Sequence, residues 1–486
     1  MKIPEEVKSV VFRLKSNNFE AYLVGGCVRD LLRKISPKDW DIATNAKPDQ
    51  IIKIFPKSYI DNKFGTVTVL TDSKEESLRE IEITPYRIDE KYTDKRHPDK
   101  IKWANTIEED LTRRDFTINA MGAEVGEREI TKIIDPFLGQ EDLKKKIIRA
   151  VGNPEDRFSE DALRMMRAVR FATLFGFNIE QKTLLAIKKN ASWLQAISKE
   201  RIRDEFIKII MSKNAAGGIE LLRTSGLLKY IIPELEEGWK VTQNKHHIYD
   251  VYEHSLRSLD YAAKQGFNKY VRLAALLHDV AKPRVKRGEG PDATFYNHEI
   301  VGAKMVCQIL KRLRFSKKDI EKIAKLVRYH LFYYNVNEVG ESSVRRLLRR
   351  VGSENIEELI QVRMCDRIGS GCPKAEPYKL RHLRYVIDKV SQDPISVKML
   401  KVSGEDVMRI LKINPGPRVG EVLDILLGIV LEEPSKNKKE ILEKEIRKLK
   451  DLPSERIKQL AFKARKEREK IETKRDEMAK KKYWVT

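Results

Sequence analysis

The sequence predicts an α+β chain with its strands confined to roughly the first 150 residues, and two observations carry that expectation. FGTVTVL (64–70) and REIEITPYRI (79–88) alternate apolar and polar residues as half-buried strands do, and a short apolar run at Ala21–Val24 reads as a fully buried one. From about residue 150 the apolar residues recur at helical spacing instead. The boundaries expected from this are a mixed sheet with helices over 1–149, a helical connector over 150–238, an all-helical region over 239–400 and basic helices over 401–486. A chain of 486 residues is long enough for each to bury a core.

The charge balance narrows the function classes. A formal charge of +23 and a pI near 9.5 point to a polyanionic partner, since phosphate neutralisation is where such surfaces gain affinity. No apolar run reaches the length of a membrane span and MKIPEEVKSVV lacks a signal h-region, so a cytoplasmic protein without membrane contact is expected. Cys27, Cys307, Cys365 and Cys372 form no CxxC pair, which indicates neither a zinc site nor a disulfide framework.

In chain order, residues 4–16 place Val7, Val10, Val11 and Leu14 on one helical face behind Pro4, a packing helix. In AYLVGGCVRDLLRKISPKDWD (21–41), Gly25 and Gly26 let the backbone turn sharply and come close to a ligand, and the following helix can turn its N-terminus toward phosphate, with Arg29 one turn in. Asp39 and Asp41, separated by Trp40, are expected on one face of a strand, where two carboxylates can hold divalent metal ions. KPDQIIKIFP reads as a short helix. Glu82 on REIEITPYRI is the candidate third carboxylate, with Glu80 its competitor. Residues 89–106 are too polar and too long for an ordinary connection, either a functional loop or a disordered excursion. Thr106 and Glu109 form a capping box for a helix expected to carry Arg113, Arg114 and Asp115 near its centre. Arginine forks match phosphate oxygens, and an aspartate accepts from ribose hydroxyls.

Beyond 150, SEDALRMMRAVRFA sets Asp161 and Arg164 three apart, neighbours on one helix face. Cytosine and adenine both present an exocyclic amine beside a ring-nitrogen acceptor, so one carboxylate and one guanidinium can bond either. Guanine and uracil reverse that order and would leave a buried polar group unpaired, at a cost of about 1–3 kcal/mol. Further on, five of the eight histidines fall between 246 and 298, and His278-Asp279 follow an apolar helix. With His254 upstream and Asp366 downstream they match the ligand types of a divalent metal site, and His298 and His330 could complete a second position. The last 52 residues, from Ser435, hold 19 Lys or Arg against 10 acids, charged helices that either hold RNA or are simply solvated.

Together GGCVRD, DWDIAT, RRDFTINA and EDALR resemble the class II CCA-adding tRNA nucleotidyltransferases and bacterial poly(A) polymerases, a branch of the superfamily that includes DNA polymerase β. That resemblance implies a polymerase β-like head, a helical neck and the following roles. Asp39, Asp41 and Glu82 would be catalytic, the two aspartates holding Mg2+. Gly25, Gly26, Arg29, Arg114, Asp115 and Asn119 would bind the nucleotide, and Asp161, Arg164 and Arg167 would read or hold its base. Glu200, Arg201 and Arg203 in KERIRDEF would brace that reader, Tyr92, Asp94, Arg96 and Pro98 would belong to a flexible loop of CCA- and A-adding enzymes, and Asp135 would be structural. The second centre resembles the HD phosphohydrolase superfamily, with His254, His278, Asp279, His298, His330 and Asp366 as ligands of a transition metal such as Ni2+, Co2+ or Mn2+.

The function implied is addition of C, C and A to tRNA 3′ ends from CTP and ATP, with a metal-dependent phosphohydrolase in the HD region. An A-adding enzyme or a poly(A) polymerase is the alternative within the class. Outside it stand an HD phosphohydrolase whose head only binds RNA, and an RNA-binding protein without chemistry.

Overall fold

A computed structural model describes residues 3–61, 65–90, 100–127, 129–244, 248–391 and 397–485. Its sheet has seven strands, β1 (Ala21–Val24), β2 (Trp40–Thr44), β3 (Ser58–Ile60), β4 (Val67–Leu70), β5 (Glu80–Pro85), β8 (Gly122–Val125) and β9 (Ile130–Ile134), while β6 (Arg87–Glu90) and β7 (Lys100–Trp103) form a separate hairpin. The spatial order is β3-β4-β5-β2-β1-β8-β9. Only β2 and β5 run parallel, and every other pair in this sheet is antiparallel. The expected mixed sheet is present, but REIEITPYRI divides: the Tyr86 N–H bonds to the Thr44 carbonyl, its ring is buried, and the chain leaves the sheet there for the hairpin. Helices Glu5–Ser16 and Pro48–Ile54 lie on the sheet, burying Val7, Val11, Leu14 and Ile51 with Leu23, Ile42, Ile81 and Ile83 in one core. Each buried side chain of this size contributes about 1.5–3 kcal/mol.

Past the head the structure is helical apart from the short strand Asn178–Ile179, which pairs with Ile147–Ile148. Residues 3–331 and 357–375 form one compact unit within the described chain, and residues 332–356 and 376–485 a second. In the second unit Pro417–Glu432 packs on Lys439–Lys448 and Ser454–Lys482, burying Val422, Leu426, Leu442, Ile446, Ile457 and Ala461. The charged helices of the tail are therefore not solvated all round: their sparse apolar residues, three or four apart, form the stripe of a core. Among the described residues no helix is long and apolar enough to cross a membrane. None of the four cysteines is in a disulfide.

Candidate functional site

The first centre sits on β2 and β5. Their register sets Asp41 opposite Glu82, with Trp40 opposite Ile81 and Ile42 opposite Ile83. Because the side-chain period is two, the isoleucines and the tryptophan go into the core and the two carboxylates share the other face. Asp39 lies one residue before the strand rather than on it, exposed, yet near enough for its charge to act on both. Burial and then repulsion from Asp39 raise the pKa of Asp41, against the pull of Arg114. Glu82 is raised by loss of water and by Asp41, Asp61 and Asp39. Carboxylates that repel one another on a partly dry face, all offering oxygen, suit a hard divalent cation. The residues present thus fit the metals expected of them, and Glu80, two residues before Glu82 on the same strand face, adds its charge to the repulsion on Glu82.

Gly25 shows why glycine is needed before the helix Gly26–Leu32. Its φ is +74°, and a Cβ there would come 2.8 Å from Nη1 of Arg114 and 3.4 Å from Oδ2 of Asp41. The strand-to-helix turn, the guanidinium and the metal carboxylate therefore close on one space.

The stretch RRD is not at the centre of a helix. The helix Ile107–Thr112 ends before it, since the chain at 115–117 is held by the strand-like segment 149–151: Thr117 donates to the Arg149 carbonyl and Val151 to that of Asp115. Thr106 does cap the helix, but Glu109 reaches back to the amide of Asn105 rather than of Thr106. Arg113 and Arg114 both converge on Asp110, a wholly buried carboxylate at 2.8 and 3.3 Å. Although burial works against it, the two arginines hold Asp110 below the usual carboxylate range. Asp110 was not among the expected site residues, and its signal was its spacing, three and four residues before the arginines it orients.

Asp115 and Asn119 form the middle of a buried chain. Arg29 donates through Nη1 to Oδ1 of Asn119 at 2.7 Å, Asn119 donates to Asp115 at 3.1 Å, and Arg167 grips the other Asp115 oxygen at 2.6 and 2.7 Å. Burial pushes Asp115 up, but Arg167, Arg164 and the bond from Asn119 overcome it and hold the carboxyl down at about 2. The rings of Phe171 and Phe175 lie under Arg29, with centroids 5.5 and 4.8 Å from its guanidinium carbon. Head and neck are thereby tied through the residues expected to hold nucleotide.

Asp161 and Arg164 do not lie on one continuous helix. Pro154–Glu160 ends at Asp161, whose backbone is extended, and Leu163–Phe175 begins two residues later. The Leu163 amide bonds to the Asp161 carboxylate, which starts the second helix and makes the break favourable. Arg164 pairs with Glu160 at 2.5 Å and donates to the Arg113 carbonyl at 3.0 Å, while Asp161 pairs with Arg201. Asp135 caps Gly139–Lys145 through the amides of Gly139 and Gln140. Tyr92, Asp94, Arg96 and Pro98 lie outside the described residues.

The second centre is a cage built from five helices. His254 comes from Val251–Lys264, His278 and Asp279 from the end of Lys269–Leu277, His298 from the start of His298–Arg312, His330 from the end of Lys317–Tyr329, and Asp366 from Ile356–Gly369. All six are buried. His278, His298 and His330 each bond through Nδ1 to a backbone carbonyl three residues earlier, at 2.7–2.8 Å. A carbonyl only accepts, so each Nδ1 carries the proton and each Nε2 is left as a ligand atom. Nε2 of His298 and His330 make no hydrogen bond, although they lie 3.2 and 3.7 Å from Oδ1 of Asp279. His254, His278 and Asp366 form one ligand group, and His278, Asp279 and His330 another. Burial drives the charge off His330, whereas Asp279 and Asp366 hold a proton on His278 against burial. Imidazole nitrogens and carboxylate oxygens that converge in this way fit a divalent metal. Lys282, 5% exposed, adds a contact that was not expected: Nζ lies 2.7 Å from Asp279 and 2.6 Å from Oε1 of Gln243.

Three family models match in order: the poly A polymerase head domain over residues 21–149, a probable RNA and SrmB-binding site of polymerase A over 176–238, and the HD domain over 251–370. The chain is 32% identical to a CCA-adding enzyme of Enterococcus faecalis, covering 90% of this chain and 95% of that one. It is 34% identical to an A-adding tRNA nucleotidyltransferase of Deinococcus radiodurans, covering 84% and 90%. The crystal structure of a Bacillus stearothermophilus CCA-adding enzyme with CTP superposes with a TM-score of 0.59 at 28% identity, covering 92% and 98%. With these matches running along the head, neck and HD region that hold both centres, the chain belongs to the tRNA nucleotidyltransferase family of CCA-adding and A-adding enzymes.

Proposed function

We propose that this protein adds C, C and A to the 3′ end of tRNA from CTP and ATP, releasing pyrophosphate. The observation that carries the reading is the in-register pair Asp41 and Glu82 facing the space that Gly25 and Arg114 enclose. Asp39 and Asp41 would hold the metals, Mg2+ by their oxygen donors, and bound magnesium supplies charge that favours the ionised primer hydroxyl and the pyrophosphate leaving group. Glu82, kept above its ordinary pKa, is placed to accept the primer proton. Arg114, steadied by Asp110, presents its fork to the triphosphate. Asp115, anchored by Arg167 and Asn119, is an ionised acceptor for ribose hydroxyls. Asp161 and Arg164 select cytosine and adenine by the shared donor and acceptor order of those bases. No covalent intermediate is required.

The HD centre is a second, metal-dependent phosphohydrolase site for RNA ends, with 2′,3′-cyclic phosphates its first substrates. Nickel, cobalt or manganese suits its four imidazoles better than magnesium does. The proposed substrate is tRNA in the cytoplasm.

The test of the transferase reading is incorporation of labelled CTP and ATP into tRNA lacking its 3′ end, by wild type and by Asp41→Ala in magnesium. Incorporation by wild type alone supports it, and incorporation by neither leaves the head an RNA-binding module. A-addition alone, as in the relative from Deinococcus, would be seen as incorporation of ATP only into tRNA already ending in CC.

A further inference from the structure

The helix Ile107–Thr112 ends just before Arg114, and the carbonyls at its end find no partner within the helix. Two of them, on Thr112 and on the cap residue Arg113, are taken by arginines of the neck. Arg157 donates through Nη1 to Thr112 at 2.8 Å, and Arg164 through Nη2 to Arg113 at 3.0 Å. Cations suit this end of a helix, where the carbonyl dipoles point outward. Both arginines are bound to one carboxylate: Glu160 meets Nη2 of Arg157 with one oxygen and Nη1 of Arg164 with the other, each at 2.5 Å. The three side chains are only 12–19% exposed, so this bridge between neck and head is largely shielded from water.

The two clamps differ in what else is asked of them. Arg164 is proposed to turn donors toward a base edge, so its hold on Arg113 shares one guanidinium with base reading. Arg157 lies on the other side of the break at Asp161, on Pro154–Glu160, and is not among the residues proposed to meet the base. It holds Thr112, midway between Asp110, which orients the arginines, and Arg114, whose fork closes on Gly25. A shift of this segment would carry Arg114 with it, and a misplacement of about 1 Å can cost about a hundredfold in rate.

We propose that Arg157 is a positioning residue for nucleotide addition: by bridging Glu160 and the Thr112 carbonyl it fixes segment 110–114 against the neck, so that Arg114 meets the triphosphate in one place whichever base is bound. The proposal rests on the transferase reading of the head and adds to it a residue that governs rate and not base choice. A site that takes both a pyrimidine and a purine needs that independence. The two bases fill the reader to different extents, and the reacting phosphate must not follow them.

The test compares wild type, Arg157→Ala and Arg157→Lys in magnesium, on tRNA ending at the discriminator base with CTP and on tRNA ending in CC with ATP. The maximal rate of single addition should fall about ten- to a hundredfold in Arg157→Ala, equally for the two nucleotides, with the preference over UTP and GTP unchanged. Arg157→Lys should recover part of the loss, because an ammonium can still donate to Thr112 and pair with Glu160. Calorimetry with magnesium tripolyphosphate and with cytidine gives a readout that needs no turnover: Arg157→Ala should weaken the first and leave the second as in wild type. Thermal melts show whether each variant is folded, and Arg157→Met, which keeps the stem and loses the donors, carries the same expectations if Arg157→Ala is not. Wild-type rates in a folded variant, a changed base preference, or equal weakening of both ligands would overturn the proposal. Wild type that adds no nucleotide would remove the transferase reading, and the contrast between tripolyphosphate and cytidine would still decide the role of Arg157.

Discussion

Asp161 and Arg201 form a two-pronged ion pair across 40 residues of chain, with Nη2 of Arg201 2.7 Å from Oδ2 and Nη1 3.3 Å from Oδ1. The carboxylate that is proposed to read a base amine is thus held from outside its own helix, by the first turn of Lys199–Ile210. Its neighbour Arg164 is held separately, by Glu160 and by the backbone at Arg113. Two independently braced groups would give the proposed base reader a rigid frame.

Asp161→Ala or Arg164→Ala should therefore relax base choice, each removing half of the hydrogen-bond pattern. The expected loss is about tenfold to a hundredfold in the preference of CTP and ATP over UTP and GTP, the equivalent of one unpaired buried group. Arg201→Ala should lose part of the same preference with tRNA binding unchanged. Single-nucleotide extension kinetics with each triphosphate measure this, and unchanged discrimination in the Asp161 and Arg164 variants would place selection elsewhere.

Asp39→Ala and Asp41→Ala should each lower addition by at least about a hundredfold, by analogy with loss of one transition-state contact. Binding of tRNA should stay near wild type, because carboxylates do not attract phosphate. Filter binding and extension assays on the same preparations separate the two effects, and addition retained by both variants would contradict the metal assignment.

Much of this was legible in the sequence because it depends on local chemistry. The strand-turn-helix at Gly25, the acids of DWDIAT, the run of strands and the switch to helices each follow from neighbours a few residues apart. Long-range partners were not. Nothing near Asp115 in sequence announces Arg167, and nothing near Asp161 announces Arg201. The capping pattern of Thr106 and Glu109 points to a helix that runs through RRD. The end is imposed instead by backbone bonds to residues 149–151, a tertiary override of local preference. Lys282 was visible as the third residue after Asp279, but a lysine in that place reads as solvated until its burial is known.

The chain Arg29, Asn119, Asp115, Arg167 gives a stability prediction with a pH signature. Asp115 is held at about 2, below the unfolded carboxylate value near 3.9. A depressed pKa contributes stability that is complete above the unfolded value and is lost as pH falls through the folded one. In Arg167→Gln the carboxylate loses its chief partner, so a deficit of about 2 kcal/mol is expected at pH 6, shrinking between pH 4 and pH 2. Denaturant melts of both proteins across that range check it. A deficit independent of pH would mean that Arg167 acts by packing alone.

Asp279→Ala should abolish hydrolysis of 2′,3′-cyclic phosphates with nickel, cobalt or manganese and leave nucleotide addition near wild type. Elemental analysis should find a divalent metal in wild type and less in the variant, with melts to confirm that the helical region is folded. Folded wild type without bound metal or turnover on any of the three ions would make the cage a scaffold.

Addition of CCA is read from the ends that the protein makes. Purified protein is incubated with magnesium, all four nucleoside triphosphates and two forms of one tRNA, the first ending at the discriminator base and the second already ending in CC, and the 3′ ends are sequenced. CCA is expected on the first and a single A on the second, with no residue added from UTP or GTP. Extension of the second alone, or a run of A on either, would contradict it.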